Sequence, residues 1–467
     1  MPQNFLTCDR DQPLLLPPDL RDWLPEDHLA WFVIEALDEL DLEPFYAAYR
    51  ADGHGRAAHD PKMMLTLLAY AYAVGERSSR GIERRCREDV AFRVICANQV
   101  PDHATIARFR ARHQEALSGL FGQVLGLCAD AGLVEVDVLA VDGTKLAASA
   151  SNHATRSYEQ IATEILAEAG RIDAAEDEIH GEARGDELPE HLASREGRRA
   201  WLREAKERLE RERAAGEETI PRERQKRLEL CRRRLIEDWQ TEHRANRSYE
   251  AYRARGVMKD GRRFGRRPNP HTPPEKPEGK LNLTDPDSKN MKAFRGYVQG
   301  YNAQAVTNRR QIIVAAEIAT DGLDVAQLEP MVQAAERELA DAGVDARPEV
   351  VLADAGYWAN AHIDRLRERG LTPIVAPDAH SREGPRKTRP GGPYDFMRRV
   401  LQTAKGKELY SRRQAMVEPV FADIKQNRRA GRFKRRGRAA VRSEWRLIAA
   451  THNLLKLHRH TLAVAAR

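Results

Sequence analysis

The sequence is poor in cysteine, in aromatic side chains and in uninterrupted apolar runs, and each shortage removes a class of protein. Its five cysteines, Cys8, Cys86, Cys96, Cys128 and Cys231, are odd in number, widely spaced and without a C-x-x-C pair. That excludes a disulfide framework and a cysteine-built zinc site, and a reducing cytoplasm is the expected compartment. No stretch approaches the roughly 18 to 20 apolar residues that a membrane helix needs. The opening MPQNFLTCDRDQPLLLPPDL has no positive n-region and only a short leucine run, so neither export nor membrane spanning is expected. Net charge is small as well. With 77 Lys and Arg against 71 Asp and Glu, only the distribution of charge can indicate a partner.

Apolar material is ample, at 41% of 467 residues, which is enough for cores in about two to four domains. From Asp27 to Tyr49, Leu29, Phe32, Val33, Ala36, Leu37 and Leu40 recur at helical spacing and predict one amphipathic helix. Asp60-Pro61 opens a second, with proline tolerated in the first turn; its run from Met63 to Val74 is apolar all round and predicts the central helix of an all-α N-terminal domain over residues 1–132. Ser78-Ser79 caps a third helix reaching Ala97, and Asp102 caps a fourth after the tight link Gln99-Val100-Pro101. These two have the outline of a helix-turn-helix. Thr105, Arg108 and Arg112 share one face, a basic edge suited to a DNA groove, although solvated surface arginines give the same pattern.

A helix over Leu117 to Ala131 precedes the β-rich run Val134 to Val141, which predicts a buried strand ending in Asp142 (residues 133–155 as the first strand of a catalytic domain). Between Arg156 and Arg255 there are 22 Lys and Arg and 24 Asp and Glu, spaced three or four apart among helix formers. Long exposed helices broken near Gly216 to Pro221 are expected, forming a solvated insertion; with the linker-like Gly256 to Lys280 it spans residues 156–280. Strands over Tyr297–Val306 and Gln311–Ala319, a helix over Asp324–Ala342, a strand over Glu349–Ala353, a helix over Asn360–Arg369 and a strand over Leu371–Ala376 follow. That order describes an α/β domain with a mixed sheet, resumed at residues 281–430 and followed by a basic C-terminal tail and helix at 431–467.

Asp142 and Asp354 end strands at the kind of sheet edge where α/β folds place their sites. Near Glu418, residues Val417, Val420, Phe421 and Ile424 fall within about 100° of a helical wheel, and Glu418, Ala422, Lys425 and Arg429 form a stripe beside them. Pro419 belongs in a first turn, so Glu418 is expected at a helix start. Hard divalent cations take oxygen ligands, and three carboxylates at a sheet edge can hold two such ions to activate a water or a 3′-hydroxyl. A lone aspartate at a strand end is more often a turn residue; the constellation carries the weight. From Lys425 to Arg438 lie eight basic residues in fourteen with no acid, which makes Arg428, Arg429, Arg432, Lys434, Arg435 and Arg436 candidates for the DNA backbone. Arg382 to Lys407 is a second basic stretch, and His452, His458 and His460 read as ordinary surface histidines.

The strings VDGT around Asp142 and LADAGY around Asp354, with Glu418 followed by Lys425, resemble the three parts of the DDE signature of bacterial insertion-sequence transposases. Tyr410 and Arg413 resemble the rest of the third part, with four residues between Arg413 and Glu418 where the related pattern has three. PEDHLAWFVIEALDELDL, DPKMMLTLLAYAY and PDHATIARFRARH resemble the helical N-terminal domain of one such group, and DPDSKNMK with GYNAQAVTN its second-strand region. The resemblance implies a ribonuclease H-like catalytic domain in which Asp142, Asp354 and Glu418 bind two Mg²⁺ or Mn²⁺ ions. It implies cleavage of double-stranded DNA at terminal inverted repeats and strand transfer of the freed 3′-hydroxyl into target DNA. Lys425 would contact phosphate, Arg413 and Tyr410 would lie near the cleaved end, and a homo-oligomer would assemble on paired ends in the nucleoid. The alternatives are a DNA-end-binding repressor without catalysis and a ribonuclease H-like nuclease that does not join strands.

Overall fold

The structure is a computed structural model that describes residues 19–49, 58–165, 209, 220–256, 273–293, 296–319, 322–378 and 392–466. It contains two compact units, Met1–His113 with Leu454–Arg467, and Gln114–Asn453. Among the described residues no helix is long and apolar enough to cross a membrane.

The first unit is helical, with α1 (Leu29–Asp38), α2 (Glu43–Tyr46), α3 (Pro61–Ala73), α4 (Ser79–Glu88), α5 (Val90–Ile95) and α6 (His103–Arg112). Nearly all of α3 is buried, as its all-round apolar sequence requires, and Asp60 caps it by accepting the Met63 N–H at 2.9 Å. Two expected helices are each divided. The helix read from Asp27 to Tyr49 breaks after α1, and Pro44 falls in the first turn of α2, where its missing N–H has no helical partner to lose. The helix read up to Ala97 breaks at Asp89, whose carboxylate accepts the Ala91 N–H at 3.0 Å and so starts α5. On α6, Ile106 and Phe109 are buried while Arg108 and Arg112 are exposed, and the Arg112 guanidinium lies 5.2 Å from the centroid of the Tyr49 ring.

In the second unit α7 (Gln114–Asp130) leads into β1 (Val138–Ala147). The sheet partners of β1 are β4 (Lys289–Ala293), β5 (Gly296–Thr307), β6 (Ile313–Ala319), β7 (Val350–Ala353) and β8 (Thr372–Val375). These six strands form one mixed sheet in the order β4-β5-β1-β7-β8, with β6 also paired to β5. β1 is antiparallel to β5 and parallel to β7, and β8 is parallel to β7. Helices α9 (Leu328–Asp341) and α10 (Asn360–Glu368) connect the later strands and bury Met331, Val332, Leu339, Ile363 and Leu366. Contrary to expectation, β1 does not stop at Asp142. Residues 142–147 continue the ladder because β5 is long enough to pair with them down to Gly300.

The insertion is less exposed than its composition suggests. Its described helix α8 (Arg224–Ala254) places Leu228, Cys231 and Leu235 at helical spacing, and these pack with Ile161 and Leu283 into a small core of their own. A short sheet of β2 (Thr155–Ser157) and β3 (Lys280–Asn282) joins the segments on either side. The expected break near Gly216 and most of the linker after Gly256 lie outside the described residues.

Helices α11 (Pro393–Gln402), α12 (Ala404–Ala422) and α13 (Arg438–Ala465) complete the chain. Glu418 is not at a helix start. Pro419 lies inside α12, and the Ala415 carbonyl, which a fourth-residue N–H would otherwise satisfy, accepts the Gln311 side-chain amide at 2.8 Å. The helix ends in a π-helical turn, Asp423–Asn427, and Arg429 (φ 51°) lies beyond it, so Arg429 is not on the helical stripe with Glu418. His452 is not a surface residue: it is buried, with Nε2 3.0 Å from the Gln311 carbonyl and Nδ1 3.4 Å from the Asp423 carboxylate.

The basic segment before α13 is tied down from both sides. Ala147 at the end of β1 donates to the Gly431 carbonyl at 3.1 Å and accepts the Phe433 N–H at 2.8 Å. Buried Glu444 accepts the Lys434 and Arg435 backbone N–H groups at 2.9 to 3.0 Å. Glu444→Ala leaves those two donors without an acceptor and is expected to cost about 3 kcal/mol in urea unfolding. A loss below about 0.5 kcal/mol would mean that Glu444 does not anchor the segment.

Candidate active site

The parallel register of β1 with β7 pairs Val138 with Val350, Leu139 with Val351 and Ala140 with Leu352; continued by two residues, it brings Asp142 level with Asp354. Side chains alternate along β1, so Asp142 shares a face with Thr144, the face toward α12. There the Asp142 carboxylate forms an ion pair of 2.9 Å with Arg413, and the Arg413 guanidinium also lies 6.0 Å from the centroid of half-buried Tyr410. Lys425, carried by the π-helical turn, donates to the Thr144 hydroxyl. Asp354 follows β7 and caps a short turn, Ala355–Tyr357, accepting the Gly356 N–H at 2.7 Å.

Burial pushes the Asp142 carboxyl up to about 6; Arg413 opposes the shift and the neighbouring Asp354 charge adds to it. Burial also lowers the Lys425 ammonium, with Asp142 raising it and Lys145 lowering it further. Two carboxylates and two cations therefore meet at the point where β1 runs on and β7 stops. Glu418, on α12 which packs against β1, is exposed and accepts the Gln414 amide at 3.0 Å. Among the described residues no group of three or more His, Cys, Asp or Glu is gathered at metal-binding distance, while the charge of Asp354 acts on the Asp142 carboxyl.

The remaining basic candidates divide. Arg428 is buried and donates to the Ile448 carbonyl and the Thr451 hydroxyl, so its place at a DNA surface is corrected to one inside the fold. Arg435 donates to Gln114, and Arg436 donates to the Ser149 carbonyl from an exposed position. Arg429, Arg432 and Lys434 are exposed. Sequence reasoning missed Lys145, Asn302, Gln304, Asp324 and Tyr357, which form a polar group beside the two aspartates. The only sign in the sequence was that Lys145 lies two residues beyond Gly143, on the opposite strand face from Asp142.

Two families match the chain: a transposase domain (DUF772) over residues 18–112 and a transposase DDE domain over residues 269–454. The chain belongs to the insertion-sequence DDE transposases. No curated protein and no solved structure matches it. Asp354 and Glu418 lie within the DDE match and Asp142 precedes it, so in this transposase the first aspartate joins the matched region through the pairing of β1 with β5 and β7.

The raised Asp142 carboxyl has a consequence for stability. Unfolded, it loses its proton near pH 4, whereas in the folded transposase it keeps the proton to about 6. The charged carboxylate thus costs stability as pH rises through that window, and the cost is fully present above it. With EDTA present, Asp142→Asn should raise the unfolding free energy at pH 8 by at most ~3 kcal/mol, seen as a higher denaturation midpoint, and have little effect below pH 4. An equal midpoint for the two proteins at pH 8 would remove the case for a crowded carboxyl.

Proposed function

We propose that this transposase cuts DNA at the ends of an insertion sequence and joins the freed 3′-hydroxyls to target DNA, on a ribonuclease H-like domain. The observation that carries the reading is the meeting of Asp142 and Asp354 on adjacent parallel strands, with Arg413 and Lys425 beside them. The donors fit a hard divalent cation: both are carboxylates, and their mutual repulsion is the charge crowding that such an ion relieves. Asp142, Asp354 and Glu418 would hold Mg²⁺ or Mn²⁺, two ions in all. When bound there, the ions supply Lewis-acid stabilisation of charge developing on the phosphate.

The chain's own residues supply the rest. Arg413 offsets the Asp142 charge, and Lys425 and the exposed side chains of Arg429, Arg432, Lys434 and Arg436 offer cations for phosphates close to the end of β1. In the first unit, exposed Arg108 and Arg112 on capped α6 suit contact with the element's end sequence. Assembly of copies on paired DNA ends belongs to the same reading.

The test uses as substrate duplex DNA from the two sides of the gene, chosen by a search for inverted repeats there, with Mg²⁺ present. Asp142→Ala and Asp354→Ala should each lower end cleavage by at least on the order of a hundredfold, the loss expected when a charge-stabilising group is removed, while end binding persists. Wild-type cleavage in either variant would end this mechanism. Binding without cleavage by the native chain would indicate a repressor, and cleavage without joined products a nuclease. Separately, the double variant Arg432→Ala with Lys434→Ala should flatten the dependence of log Kd on log salt by about 2, one for each phosphate that is no longer neutralised. An unchanged slope would take these two side chains off the DNA.

A further inference from the structure

On the face of β1 opposite Asp142, Gly143 and Lys145 are paired in register with Gln304 and Asn302 of β5. Asp324, in the loop before α9, sits over these four positions. Its Oδ1 accepts from the Asn302 and Gln304 side-chain amides at 2.8 Å each, and the Lys145 ammonium lies 3.1 Å from both of its oxygens. The Lys145 and Asp324 side chains are 15% and 22% exposed, so this is a mostly enclosed ion pair rather than a surface one. The Gln304 amide oxygen in turn accepts the hydroxyl of buried Tyr357, and Tyr357 closes the short turn that Asp354 caps. Burial holds the Tyr357 hydroxyl protonated, and the charges of Asp324, Asp142 and Asp354 act in the same direction, so it remains a donor.

Two glycines mark how closely this group is fitted. A Cβ at Gly143 would collide with the Gln304 amide and lie 2.9 Å from Asp324 Oδ1. A Cβ at Gly356 would lie 2.9 Å from Asp354 Oδ1 and 3.6 Å from Asp324 Oδ2. The glycines that follow the two catalytic aspartates in VDGT and LADAGY are therefore the positions where the polar group reaches the catalytic edge.

The geometry points to Asp324 as a positioning residue for the catalytic pair, holding the turn of Asp354 through Gln304 and Tyr357 and the strand of Asp142 through Lys145. This deepens the proposed function and rests on it for the pair's role. Asp324 touches neither carboxylate directly, so its effect must pass through the side chains that it orders. Supporting contacts of this kind are typically worth 10- to 100-fold in metal affinity or activity.

The experiment compares the full-length wild type with Asp324→Asn, Tyr357→Phe and the double variant. It measures Mn²⁺ binding by electron paramagnetic resonance without DNA, end-DNA affinity, and the end-cleavage rate at saturating Mn²⁺. Each single variant should weaken Mn²⁺ binding and slow cleavage by about tenfold, with end-DNA affinity within about twofold, and the double variant should be no worse than the worse single one. Wild-type Mn²⁺ binding and cleavage in a folded Asp324→Asn protein would overturn the inference, as would additive losses in the double variant. Tyr357→Phe removes one hydroxyl and keeps the test decisive if Asp324→Asn does not fold. If native protein binds Mn²⁺ through Asp142 but does not cut, the functional reading fails and the binding measurement still judges Asp324. If native protein cuts and Asp324→Asn cuts equally well, only the role of Asp324 fails.

Discussion

The parallel pairing of β1 with β7 is the constraint on which the rest depends. Two residues past the last ladder pair, one strand continues and the other ends, and an aspartate stands at that level on each. Because side chains alternate, a slip of one residue would send Asp142 to the opposite face and leave Arg413 and Lys425 without it. Long pairing of β1 with β5 resists such a slip, since it holds eight consecutive residues of β1 from Ala140 to Ala147.

Around that level the fold arranges its charges by strand parity. On one face Asp142 meets Arg413 and Thr144 meets Lys425; on the other, Lys145 meets Asp324, Asn302 and Gln304. The two faces share the edge at Gly143 and Gly356, where absence of a side chain lets the amide of Gln304 and the carboxylate of Asp354 approach the main chain. The long helix α12 contributes Arg413 and Glu418 at the price of a proline in its interior, and the side chain of Gln311 takes over the hydrogen bond that Pro419 cannot make.

Local signals were legible wherever a short stretch decides the outcome. Asp60, Ser78 and Asp102 begin helices as their types suggest, and the faces of α6 and of the Val417 to Ile424 segment are buried as their spacing requires. Misreadings came where distant partners intervene. Asp142 looked like a strand end because β5 cannot be anticipated from β1 alone, and Pro419 looked like a helix start because its substitute donor is over a hundred residues away. Arg428 looked like a phosphate ligand within a basic run, yet the carbonyl of Ile448 and the hydroxyl of Thr451 hold it inside. In the insertion, the apolar seam of Leu228, Cys231 and Leu235 was hidden by the charge around it.

The sequence by itself determined which residue types were available and at what local period: the aspartates before glycine or alanine, the glutamate on a helix, the lysine beyond it and the basic run. Those are properties of neighbours along the chain, where hydrogen bonding and alternation act within a few residues. Only the tertiary structure decided that Asp142 lies level with Asp354, that Arg413 pairs with Asp142, and that Asp324 gathers Lys145, Asn302 and Gln304. Strand register and side-chain burial couple residues separated by the whole insertion, and nothing in a local window encodes which of many carboxylates a given strand will meet.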